Sequence, residues 1–137
     1  MNQHIYLRAY MAGIVVPTIF LLVVATVFTI ARYVYNIPVP VERVIVFPMA
    51  VVPNAWGLWN ILFITLRSRL RLSIGLHGAL LPILLAPLGI VVASLLNFPI
   101  PNFAAHALPI AGPVALIVYY FAWKYLVGFL NRVQQIA

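Results

Sequence analysis

Residues 9–31 read AYMAGIVVPTIFLLVVATVFTIA, 23 residues without one charged side chain. A helix of that length rises about 35 Å, enough to cross the roughly 30 Å hydrocarbon core of a bilayer. Three further runs, 44–66, 74–96 and 107–130, have the same character and contain no acidic residue. The expected fold is an all-α integral membrane protein with four transmembrane helices, forming one membrane domain over residues 1–137. The remaining linkers and tails are too short to build a separate core. The first run is also longer than the apolar region of a cleaved signal peptide and lacks a convincing A-x-A site after it.

Composition points the same way. Hydrophobic residues make up 66% of the chain and charged residues only 7%, with mean hydropathy +1.13. Ordinary soluble domains carry about 25% charged residues. The chain has eight basic residues, one acidic residue (Glu42) and no cysteine, for a formal charge of +7. Thiolate nucleophiles, disulfides and cysteine-based metal sites are therefore excluded. Paired carboxylates, a Ser-His-Asp set and a glycine-rich phosphate loop are also missing, so neither enzymatic activity nor a cofactor nor a metal is expected.

The basic residues set an orientation. Arg8 precedes the first run, Arg67, Arg69 and Arg71 lie between the second and third, and Arg132 follows the fourth. The opposite side has Arg32 and Arg43, partly balanced by Glu42. By the positive-inside rule both termini face the cytoplasm, with a prokaryotic cytoplasmic membrane as the expected location. The three clustered arginines suit anionic lipid headgroups or an acidic partner surface. They are too few, and too tied to the membrane plane, to suggest nucleic acid. Lys124, inside the fourth run, is expected to snorkel to the interface beside Trp123 and Tyr125.

The two halves echo each other. Asn36-Ile37-Pro38-Val39-Pro40 matches Asn97-Phe98-Pro99-Ile100-Pro101, and Phe47-Pro48-Met49-Ala50 matches Leu108-Pro109-Ile110-Ala111 at the same offset. Gly13 to Pro17 and Gly78 to Pro82 share a G-x-x-x-P pattern. This reads as a duplicated helical hairpin, 9–66 and 74–130, repeated in parallel. Eleven prolines punctuate the chain. Kinks or loosened turns are expected at Pro17, Pro48, Pro53, Pro82, Pro87 and Pro113, with Pro48 and Pro109 also near enough to helix starts to sit in a first turn. The Asn-x-Pro-x-Pro segments read as short extended turns.

The densest set of candidate functional residues is Pro53-Asn54-Ala55-Trp56-Gly57-Leu58-Trp59-Asn60. Trp56 and Asn60 share one helix face, Trp59 and Phe63 another, and Gly57 admits a close neighbour. Asn54 is expected to bond the carbonyl freed by Pro53 or a neighbouring helix. Two accounts follow: hydrogen-bonded helix packing, or a polar, aromatic-walled pocket for a small solute or quinone-like ring. His77, one turn into the third run, reads as a hydrogen-bonded interface residue rather than a haem or metal ligand. Beyond residue 124, Leu126, Phe129, Leu130, Val133 and Ile136 alternate at helical spacing with polar residues, predicting an interfacial C-terminal helix.

The functional expectation is a non-catalytic structural or accessory subunit that packs against other membrane chains. The alternatives are an oligomeric small-solute transporter or channel lined by Asn54, Trp56, Asn60 and His77, and a quinone- or haem-associated anchor subunit.

Overall fold

The computed structural model describes residues 4–100 and 102–136, and every regular element among them is helical. Four helices are long and apolar enough to cross a membrane. Helix α1 is Ile5–Tyr33, and α2 is Val41–Leu70. Helix α3, Ile74–Leu95, consists of Ile74–Ala79 and Leu81–Leu95. Helix α4 runs through Phe103–Phe121, Ala122–Val127 and Gly128–Val133.

The prolines shape these helices in different ways. Pro17, Pro53, Pro87, Pro109 and Pro113 lie within α-helical stretches. Pro48 instead sits inside a π-helical segment, Ile45–Met49, within α2. A wider turn accommodates a ring that cannot donate a hydrogen bond and crowds the carbonyl four residues earlier. Pro82 gives the loosened turn expected of it. It opens the Leu81–Leu95 segment just after a break at Leu80, where a missing N–H costs little. Pro109 lies beyond the first turn of α4, which starts at Phe103.

Helix ends follow local chemistry. Asn36 and Asn97 both adopt left-handed backbone, with φ of 55° and 54°, a conformation asparagine tolerates well. Ile37 N–H then reaches back to the Ala31 carbonyl at 2.9 Å, and Phe98 N–H to that of Ala93 at 2.8 Å. Arg32 and Glu42 form an ion pair across the first of these turns. Both side chains are substantially exposed, so the pair adds little stability in water. Between α2 and α3 the connection is only Arg71-Leu72-Ser73. Arg67 and Arg69 thus belong to the last turn of α2, where cations offset the helix dipole, and the Ser73 side chain caps α3 by accepting from Leu76 N–H.

Packing is concentrated at one end of the bundle. Buried residues fall in 9–21, 56–64, 75–85 and 123–136, and elsewhere among the described residues only Val44 is buried. That packed end also carries the Arg67–Arg71 connection, the start of α1 and the C-terminal segment through Ile136, which packs with Ala9, Ala12, Phe63 and Ile64. The expected interfacial C-terminal helix is not formed as such. α4 continues to Val133, Gln135 turns left-handed at φ 55°, and Ile136, only 4% exposed, folds inward. Burying the isoleucine between α1 and α2 is the physical reason the helical spacing stops short. At the other end, Leu22, Val27, Ile30, Val91, Leu95 and Ile110 leave long apolar faces open.

Candidate functional site

The packed end is organised by three polar and aromatic contacts, each joining different helices. The first is an amide pair. Asn60 Nδ2 donates to Asn131 Oδ1 at 2.7 Å, and Asn131 Nδ2 donates back to Asn60 Oδ1 at 3.0 Å. Asn60 Nδ2 also donates to the Ala9 carbonyl at 2.7 Å, tying α1 to α2 and α4. Both asparagines are fully buried.

The second contact is a reciprocal clamp between α2 and α3. Trp59 Nε1 donates to the His77 carbonyl at 2.8 Å, while His77 Nε2 lies 3.0 Å from the Trp59 carbonyl. Because a carbonyl only accepts, Nε2 carries the proton. The two rings stack at a centroid separation of 4.8 Å. The break at Leu80 makes this geometry available, for the His77 carbonyl receives Leu80 N–H at 3.3 Å together with the indole. Trp59→Phe should keep the ring contact, lose that donor and destabilise the protein by about 1 kcal/mol in a detergent unfolding titration. An unchanged midpoint would count against the clamp.

The third contact is aromatic. Trp56 lies 5.0 Å from Tyr119 and 5.3 Å from Trp123, ring centroid to centroid. Trp123 is fully buried and crosses the backbone of Gly78, where an added Cβ would stand 2.0 Å from Trp123 Cγ. Trp123 is therefore core, not the interfacial neighbour of Lys124 that its position suggests. Lys124 itself is exposed on the same π-helical segment, its Nζ 5.5 Å and 5.4 Å from the ring centres of Tyr120 and Tyr125.

Of the residues singled out from sequence, Trp56, Trp59, Asn60 and His77 come together here. Asn54 does not. It is exposed on the α1/α2 seam, where it meets the second of its two expected bonds, one to a neighbouring helix, by accepting from the Tyr10 hydroxyl of α1; its amide donates to the Ala50 carbonyl at 2.7 Å, not to the carbonyl freed by Pro53. Gly57 is an internal contact: an added Cβ would stand 2.5 Å from the Tyr10 ring, and one on Gly13 would stand 2.6 Å from the Trp56 carbonyl oxygen. Arg67 donates to the Ile136 carbonyl at 3.1 Å and Arg8 to that of Gln134 at 3.3 Å, so both tie down the C-terminal tail. Arg69 and Arg71 are exposed. Among the described residues, no three His, Asp or Glu side chains converge.

Asn131 and Tyr119 complete the site without having been singled out from sequence, and Trp123 joins it from a position read only as a neighbour of Lys124. The sequence showed Gly78 only as part of the repeated G-x-x-x-P pattern; that Trp123 lies against it is seen in the structure alone. Asn60, Asn131, Trp59 and His77 make neutral hydrogen bonds that end on one another or on backbone carbonyls, and the clefts between helices are lined almost wholly by apolar side chains. This arrangement fixes helices relative to one another. No protein-family model, curated protein or solved structure matches the chain.

Proposed function

We propose that the chain is a multi-pass membrane protein and a non-catalytic structural or accessory subunit, packing its open apolar half against other membrane chains. The observation that carries this reading is how the interior polar groups are used. Asn60, Asn131, Trp59 and His77 satisfy one another and the Ala9 backbone, so they serve as helix glue, as polar side chains do between transmembrane helices. A solute pathway would need some of these groups facing an aqueous cavity instead.

The opposite end supports the packing role. Its helices expose leucine, isoleucine and valine with no buried partner among the described residues except Val44. Lipid or neighbouring helices would cover those faces. We read the arginine-bearing end as cytoplasmic, a reading its charge supports, with a prokaryotic cytoplasmic membrane as the proposed location, and exposed Arg69 and Arg71 are available to anionic headgroups. We also read the chain as a duplicated hairpin. The matching left-handed turns at Asn36 and Asn97 support this, as does the use of Gly13 and Gly78 as contact points for the second helix of each hairpin.

Native mass spectrometry after gentle extraction from the source membrane tests the subunit role. The expected result is a complex of fixed stoichiometry with other membrane chains. A lone homo-oligomer that conducts a solute in vesicles would overturn it. Enlarging Gly57 is unsuited to this test, because Gly57 packs within the chain.

A further inference from the structure

Thr26, Thr29 and Thr65 face outward, and each donates its one hydroxyl proton to the carbonyl four residues back. Asn54 differs from them. A carboxamide carries two N–H groups and an oxygen with two lone pairs. One N–H of Asn54 goes to the Ala50 carbonyl at 2.7 Å, and one lone pair takes the Tyr10 hydroxyl. The other N–H and the other lone pair have no partner among the described residues, and the side chain is exposed.

Depth makes this half-used amide informative. Asn54 lies near the middle of Val41–Leu70. At about 1.5 Å of rise per residue it stands roughly 16 Å from Arg43 and roughly 20 Å from Arg67 along α2. With the helix across a bilayer, water and headgroups stay at the two surfaces, away from that depth. Lipid tails offer neither donor nor acceptor, so the unpaired half of the amide carries a cost until another protein group meets it.

The surface around Asn54 is shaped for a helix like its own. Ala50, Asn54, Leu58 and Leu62 recur every fourth residue and are all exposed, which makes one ridge along α2. Beside the ridge runs a groove of about 560 Å³, bounded on its far side by Leu84 and Leu88 of α3. Ridge and groove thus share one face, and the small Ala50 lets a second backbone come close. What this amide lacks, an identical amide supplies. The spare N–H of each meets the spare lone pair of the other, as Asn60 and Asn131 do inside the chain. Copies inserted the same way round, as the charge bias supports, bring like residues to like depth about a twofold axis along the membrane normal.

We propose that a second copy of this chain docks on the α2/α3 face, its ridge lying in this groove and Asn54 pairing with the partner's Asn54. The pairing rests on the helices crossing a bilayer. It leaves the open apolar outer half to other membrane chains, so it adds to the subunit role without depending on it.

The test uses the purified full chain in lipid vesicles, where its lack of cysteine permits single-cysteine crosslinking. Oxidation by copper phenanthroline should link Leu58→Cys into a disulfide dimer and leave Leu22→Cys, exposed on α1, monomeric. Energy transfer between donor- and acceptor-labelled chains gives the association constant. Asn54→Leu, which keeps the volume and loses the amide, should weaken association roughly tenfold, and Asn54→Gln should keep most of it. Ala50→Phe retains the amide but holds the second backbone away, and should abolish the dimer while helical content stays unchanged. A wild-type chain that is monomeric at every lipid dilution, or equal crosslinking of Leu58→Cys and Leu22→Cys, would overturn the pairing. So would association unchanged in either Asn54→Leu or Ala50→Phe. Each of these outcomes leaves the subunit role standing, since native mass spectrometry decides that from the other chains retained.

Discussion

Gly78→Ala is expected to be among the most damaging single-methyl additions in the chain. The new Cβ would stand 2.0 Å from Cγ, 2.3 Å from Cβ and 2.4 Å from Cδ1 of Trp123. These atoms are at the root of the side chain, so rotating the far end of the indole gives no relief. Trp123 is fully buried among Trp56, Leu81, Leu85 and Val127, and cannot withdraw without opening that cluster. Overpacking of this kind costs about 3 kcal/mol or more. Gly112→Ala is the matched control, since nothing lies within 4 Å of its added Cβ, and its effect should stay within about 0.5 kcal/mol. Unfolding titrations in mixed detergent micelles should separate the two variants clearly. Equal midpoints would show that Trp123 does not lie on Gly78.

The second large effect concerns the amide pair. Asn60→Leu keeps a similar volume but leaves the Asn131 carboxamide facing a hydrocarbon group in a dry interior, and it removes a donor from the Ala9 carbonyl. Stranding a buried polar group costs about 1–3 kcal/mol, and Asn131→Leu should cost a similar amount. Replacing both should be less damaging than the sum, because neither amide is then left alone. A coupling energy of about 1–2 kcal/mol is expected from the full cycle by the same unfolding titration. Strict additivity would mean that the two side chains do not meet.

The helices were legible in the sequence because hydropathy over 20 or more residues is a local signal. The structure extends residues 9–31 to Ile5–Tyr33 and residues 44–66 to Val41–Leu70, with charged or polar ends that hydropathy discounts. The candidate site was only half legible. Trp56, Trp59, Asn60 and His77 stood out as polar or aromatic groups in apolar runs. Asn131 did not, because it lies in a tail whose polar residues looked solvated, and its partner Asn60 is distant in sequence. Trp123 was misplaced for a related reason. Beside Lys124 and Tyr125 it resembles an interfacial aromatic, but on the Ala122–Val127 π-helical segment it is buried while both neighbours are exposed. Asn54 was legible in part: it bonds a neighbouring helix, as expected, through the Tyr10 hydroxyl of α1, but it is exposed and stands apart from the Asn60 and His77 cluster.

The central claim is that the interior polar cluster is dry structural glue rather than the lining of an aqueous path. All three tryptophans of the chain, Trp56, Trp59 and Trp123, belong to that cluster, so the unmodified protein reports on it directly. The decisive measurement is quenching of tryptophan emission by aqueous iodide in lipid vesicles. The account predicts blue-shifted emission that iodide leaves nearly unchanged; strong quenching by iodide would place water beside Asn60 and His77 and contradict it.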